Sequence, residues 1–262
     1  GDALTLSETA LESLAGNMNV VLEATDSITI DALEDRVLGF AAATGSVTFR
    51  AGGAFQIGDF LTVETQGGHL AIDAAVLTAA PQSFGSLALR TNGGSISVQA
   101  RTGAVDGAIY LLTDSSSANG RGGDISVSAA GDLSMKGRDI NVDARGTLGG
   151  GEVSLSSGTG VVDIGDVDTS STAGQGGGLA ISAAGDVRTG ALMTSGGAGG
   201  GAVTVTSHAG SIVTDFATEG FPYNPINASS GSGPAGAVTL SAAGDIAVGT
   251  GDRPWLMAFC TQ

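Results

Sequence analysis

Three aspartates stand in one short run, Asp163, Asp166 and Asp168 in VVDIGDVDTSS, with only apolar residues and one glycine between them. Hard carboxylate oxygens at this spacing suit calcium. Asp163 is expected to point outward between Val162 and Ile164, and Gly165 to turn the chain so that Asp166 and Asp168 approach it. These three are the metal candidates, set against a plain solvated corner, since the calcium-binding nonapeptide G-G-x-G-x-D is missing. Three further aspartates, Asp132, Asp186 and Asp245, close the repeated phrase SAAGD, each seven residues after an apolar strand residue (Ile125, Leu179 and Val238). They read as structural corner residues whose carboxylates accept backbone N–H groups.

The remaining chemistry is sparse. His69 and His208 are the only histidines, and no serine sits in a G-x-S-x-G elbow, so no catalytic residue is assigned and the chain reads as a non-enzyme. His208 stands in TSHAGS, where other copies have SAAGD, and reads as a surface turn residue. Hydrolysis of a glycan needs two carboxylates at a defined separation, one with its pKa raised by burial. The outward positions beside the first strand triplets are instead Ser126, Ser154, Ala180, Thr204 and Thr239. Only Thr204-Val-Thr206 has the T-x-T pattern of an ice-binding face. Aromatic side chains that could grip a partner stand at Phe221 and Tyr223, in the long loop EGFPYNPINASSGSGP, and at Trp255 in the tail RPWLMAFCTQ.

The elements that carry these residues repeat. GGDISVSAAGDLSM at 122–135, GGLAISAAGDVRT at 177–189 and AGAVTLSAAGDIAV at 235–248 are copies of one phrase, with degraded copies at 150–164 and 200–214. Measured on Ile96, Ile125, Val153, Leu179, Val203 and Val238, the intervals are 29, 28, 26, 24 and 35 residues. A period of this size with short alternating strands predicts one parallel β-helix turn per repeat. Within each copy the alternation is two-fold: Ile125 and Val127 face in and Ser126 faces out. Second strands follow at Leu133/Met135, Val162/Ile164 and Ile246/Val248, and a third at Ile140/Val142 and Leu192. Earlier triplets begin at Val20/Leu22, and Ser7 ahead of Glu8 to Ala15 predicts a short helix covering the end of the rod. The expected organisation is a single all-β domain, a right-handed parallel β-helix of roughly ten turns and on the order of 50 Å in length. It divides into a cap (1–19), irregular turns (20–92), regular turns (93–250) and a closing cap or next segment (251–262).

Composition supports this class. The 45 glycines punctuate the triplets, so they read as corners, with 170–178 and 228–236 the only stretches resembling loose linker. A net charge of −16 with one lysine, Lys136, argues against nucleic acid and against anionic membrane as partners. No apolar stretch of 18 residues occurs, so no membrane insertion is expected. The single cysteine, Cys260, allows no intrachain disulfide. Beginning at Gly1 without a signal peptide, the sequence is expected to be an internal or processed piece.

LTLSETALESLAGNMNVVLEATDSITI at 4–30, GGSISVQA at 93–100 and the repeated SAAGD together resemble the repeat body of filamentous-haemagglutinin-type exoproteins, secreted by the two-partner route. The resemblance implies a secreted, surface-displayed, right-handed β-helix that acts in adhesion, without cofactor. Its implied partner is a cell-surface carbohydrate or protein. The alternatives are a carbohydrate-active β-helix enzyme and a filament subunit self-associating end to end.

Overall fold

The computed structural model describes residues 5–14, 17–41, 44–58, 60–79, 86–115, 120–214, 225–249 and 256–257, with 136–139 and 256–257 described by backbone alone. Phe221, Tyr223 and Trp255 therefore lie outside the described residues.

The chain is a parallel β-solenoid with three strand-bearing faces. The first face is a nine-stranded sheet: Val20–Ala24, Ser46–Ala51, His69–Ala74, Ile96–Ala100, Ile125–Ala129, Val153–Ser157, Leu179–Ala183, Val203–Ser207 and Val238–Ala242. Among the described residues this face has nine strands, slightly fewer than the roughly ten turns expected, and at about 4.8 Å per rung these nine span about 40 Å. The second and third faces form one 16-stranded sheet, because Leu133–Asp143 and Val162–Asp168 run unbroken around the corner between them. Register is continuous: Ile96 pairs with Ile125, Ile125 with Val153, Val153 with Leu179, Leu179 with Val203 and Val203 with Val238. The expected 20–92 irregularity is absent from this face, since Val20 already pairs with Val47 and Val47 with Leu70.

Period-two alternation makes each strand bury one side. Ile125, Val127 and Ala129 are buried while Ser126 is exposed, and the same pattern recurs on the rungs above. One column of aliphatic side chains fills the interior, and Phe40, Phe49 and Phe55 pack edge to face in the early rungs. Five buried threonines close rungs in a way the alternation does not reveal. Thr65 ends the third strand of its rung, Thr91, Thr113, Thr169 and Thr194 follow theirs, and all five donate through Oγ1 to the carbonyls of Gly68, Gly94, Gly123, Gly177 and Gly201 at 2.5–2.7 Å. Each hydroxyl ties the end of one rung to the glycine corner that begins the next.

The helix Glu8–Glu12 forms where expected. Ser7 Oγ accepts the Ala10 N–H, and Leu11 and Leu14 pack against the apolar column. Glu12 Oε1 accepts the Gly39 N–H at 2.9 Å, fixing this cap to the rod. The segments 170–178 and 228–236 are stacked loops and not linkers. Ser171 bridges to Gly196 and Gly196 to Ser230, Gln175 bridges to Gly199, and Ser171 Oγ accepts the Gly174 N–H. Among the described residues no helix is long and apolar enough to cross a membrane.

Candidate functional site

Stacking places the SAAGD aspartates in one column. Register along the second face aligns Asp132, Val161, Asp186, Ser211 and Asp245 on successive rungs, so aspartate occupies alternate positions as the sequence indicates. Asp132 Oδ1 accepts the Val161 N–H and Asp186 Oδ1 the Ser211 N–H, each at 2.9 Å. The residue before each capped N–H is glycine for a steric reason. A Cβ on Gly160 would collide with Asp132 Oδ1, and one on Gly210 with Asp186 Oδ1. Each carboxylate thus needs both a donor and a vacancy on the rung above. On the rung after Ser211 the direction is kept with a hydroxyl in place of the carboxylate, and Ser211 Oγ accepts the Asp245 N–H at 3.0 Å.

The proposed triad does not assemble. Asp166 belongs to the same class of corner lock: its Oδ1 accepts the Ala191 N–H at 2.7 Å, and a Cβ on Gly190 would collide with it. Asp163 lies on the second face between Ser134 and Arg188. Asp168 lies on the third face, where its Oδ1 accepts the Ser170 N–H at 2.8 Å. The physical reason is the corner itself. Gly165 turns the strand between two faces, sending the three side chains in different directions. Among the described residues no group of three or more His, Cys, Asp or Glu side chains is placed to hold a metal ion.

Asp168 joins a cluster that the sequence reading missed. Asp143 occupies the register position one rung below, and both residues are 5% exposed. Arg145 binds Asp143 through Nε at 2.9 and 3.1 Å and through Nη2 at 2.5 Å, while its Nε lies 3.7 Å from Asp168 Oδ2. Burial pushes the Asp168 carboxyl above its ordinary range, against the opposing pull of Ser170 and Arg145. The hydrogen bond to Asp143 holds the Arg145 guanidinium above its own ordinary value. The available signal was the spacing Asp143-x-Arg145 and Asp168-x-Ser170, a pair of Asx turns on neighbouring repeats.

Both histidines contact serines on a neighbouring rung. His69 Nδ1 lies 2.7 Å from Ser95 Oγ and accepts the Ser95 N–H, while His208 Nε2 lies 3.2 Å from Ser182 Oγ. His208 is exposed at a corner, as expected for a turn residue. The outer columns of the first face pass from Thr48 and Arg50, through Ala71 and Asp73, to Ser126 and Ser128, Ser154 and Ser156, Ala180 and Ser182, then Thr204 and Thr206. From Ser97 upward these columns carry no charge. A shallow open groove of about 370 Å³ runs along them over Ser97, Ser126 and Ser154, with Asp124 and Glu152 at its edge. Asp124 is engaged there, its Oδ1 accepting the Glu152 N–H at 2.9 Å.

No family model, curated protein or solved structure matches this chain. The class is therefore defined by the architecture alone, a parallel β-solenoid.

Proposed function

We propose that the chain is a structural and adhesive segment of a large secreted or cell-surface exoprotein, and that it acts by presenting a face and not by catalysis. One observation carries the reading: an uncharged, hydroxyl-bearing strip extends up the first face of a chain of net charge −16. Like charge repels most acidic surfaces from the rest of the rod, so a neutral strip is where a carbohydrate or protein of another cell or matrix can approach. The resemblance to filamentous-haemagglutinin-type repeats supports the same reading. The test is retention of immobilised full chain on panels of cells and neutral glycans. Ser126→Arg with Ser154→Arg places two large cations on exposed positions without touching the core. Retention by the native chain and its loss in the variant are expected. No retention by the native chain, or equal retention by both, would contradict the proposal.

The second reading, a carbohydrate-active enzyme, is favoured by the Asp143, Arg145 and Asp168 cluster, in which a buried carboxyl of raised pKa stands beside a second acid. Release of reducing sugar from a polysaccharide, abolished by Asp168→Asn, would establish that reading instead.

A further inference from the structure

The first face holds its acids in two different states. In the lower rungs both acids of the outward columns are paired, Glu23 and Asp73 with Arg50, and Asp73 also with Arg101. Asp124 and Glu152 stand immediately before the strands Ile125–Ala129 and Val153–Ser157 on neighbouring rungs, are exposed, and form no ion pair among the described residues. Asp124 spends one oxygen on the Glu152 N–H. The Glu152 carboxylate reaches over the next rung, where a Cβ on Gly178 would come within 2.5 Å of its Oε2. These two uncompensated acids edge the groove of about 370 Å³, which Ser95, Ser97, Ser126 and Ser154 line and no Lys or Arg enters. Ser97, Ser126 and Ser154 are in register on successive rungs, and Ser95 Oγ lies 2.7 Å from His69 Nδ1.

We propose that this groove takes a linear polysaccharide bearing free amino groups, its sugars running up the rod with ammonium groups toward Asp124 and Glu152 and hydroxyls toward the serines. The inference rests on the adhesive reading of the first face and names the ligand class for it. Charge complementarity selects the class. An anionic glycan is repelled by both edge acids and by a chain of net charge −16. A neutral one covers two carboxylates without giving them a partner. A protonated amino sugar supplies cation and hydroxyls on one ring. Rungs about 4.8 Å apart also lie close to the advance per sugar of an extended polysaccharide, so neighbouring sugars meet neighbouring rungs in the same way. A basic peptide fits less well, because the outward residues of the groove provide no aromatic or aliphatic pocket for an anchor side chain and the strands beneath are already paired on both sides.

The test is isothermal titration of the full chain with a short β-1,4-linked glucosamine oligomer, its fully N-acetylated counterpart and an oligolysine of equal charge. The pH is set so that the amines are protonated, and about 0.15 M KCl screens diffuse attraction to the acidic surface. Saturable binding of the glucosamine oligomer is expected, with the acetylated oligomer and the oligolysine much weaker. Glu152→Gln should weaken it about threefold, and Glu152→Gln with Asp124→Asn about tenfold, as for exposed charge pairs. Asp31→Asn with Glu34→Gln removes the same charge from exposed positions on the lowest rung and should leave binding unchanged. Absence of saturable binding, equal binding of the acetylated oligomer or of the oligolysine, or equal weakening by the lowest-rung variant would each overturn the proposal. Failure here with retention on cells and neutral glycans would remove the amine and leave the adhesive face, whereas failure of both would remove the face itself.

Discussion

The lower and upper halves of the solenoid solve the same stacking problem with different chemistry. In the lower rungs the outward column of the first face is an ion-pair ladder. Arg50 lies 3.4 Å from Glu23 and 3.9 Å from Asp73, and Arg101 pairs with Asp73 while donating to the Ala51 carbonyl at 2.6 Å. Inside, Phe40, Phe49 and Phe55 meet with ring centroids 5.5 and 6.3 Å apart. In the upper rungs the column is serine and threonine, the core is aliphatic, and cross-rung specificity moves to the corners, where Asp132, Asp166 and Asp186 each cap an N–H beside a glycine. Exposed ion pairs tolerate several registers and contribute little, about 0–1 kcal/mol each. A carboxylate that needs one N–H and one missing Cβ tolerates a single register. The lower half is therefore held chiefly by its core, and the upper half is specified by its corners.

That contrast can be broken from either side. The largest effect belongs to the lower core: Phe49→Ala, at a residue 1% exposed, should cost about 3–5 kcal/mol in urea unfolding, and more than any single ion-pair deletion on the same rungs. A smaller and shared effect is expected at the threonine clamps, which run through both halves. Thr194→Val preserves shape but removes the donor to Gly201, and should cost about 1 kcal/mol, with faster hydrogen exchange at the neighbouring Gly201 amide, which donates to the Thr194 carbonyl. The smallest effect concerns pH and the upper half alone. Because burial raises the Asp168 carboxyl above its unfolded value, folding favours its protonated form. The stability it contributes is full below the unfolded value of about 4 and is lost as pH rises through the folded value. Asp168→Asn keeps an acceptor for Ser170 while removing the charge. It should be more stable than the native chain at pH 7, with the difference shrinking toward pH 4. A variant less stable at pH 7 would mean that Arg145 outweighs burial.

The fold was legible because strand alternation and stacking depend on residue type alone. Each first-strand residue from Ile96 to Val238 occupies its expected register, as do the earlier triplets from Val20. The corner role of Asp132 and Asp186 was legible for the same reason, since a recurring polar residue at a fixed offset must share an edge. What eluded sequence reasoning depends on direction. Asp163, Asp166 and Asp168 are neighbours in the chain but face different ways around Gly165. Asp143 and Asp168, 25 positions apart, meet through Arg145. Third strands such as Val37–Phe40 and Ile109–Leu112 were hidden because their corners vary in length, which blurs the period. The buried threonines were hidden because an isolated threonine after a strand looks like any turn residue.

The central claim is that the corner carboxylates of Asp132, Asp166 and Asp186 are each matched to a glycine on the rung above, and a double-mutant cycle at Asp166 and Gly190 tests it most directly. A Cβ on Gly190 meets Asp166 Oδ1 first and backbone only at 3.0 Å and beyond. Gly190→Ala should therefore be strongly destabilising in the native background and distinctly milder with Asp166→Ala present. The predicted coupling in urea unfolding is about 1 kcal/mol or more, with the double variant more stable than the sum of the two single effects implies. Additive effects would contradict the account, because they would mean that the glycine and the carboxylate occupy their positions independently.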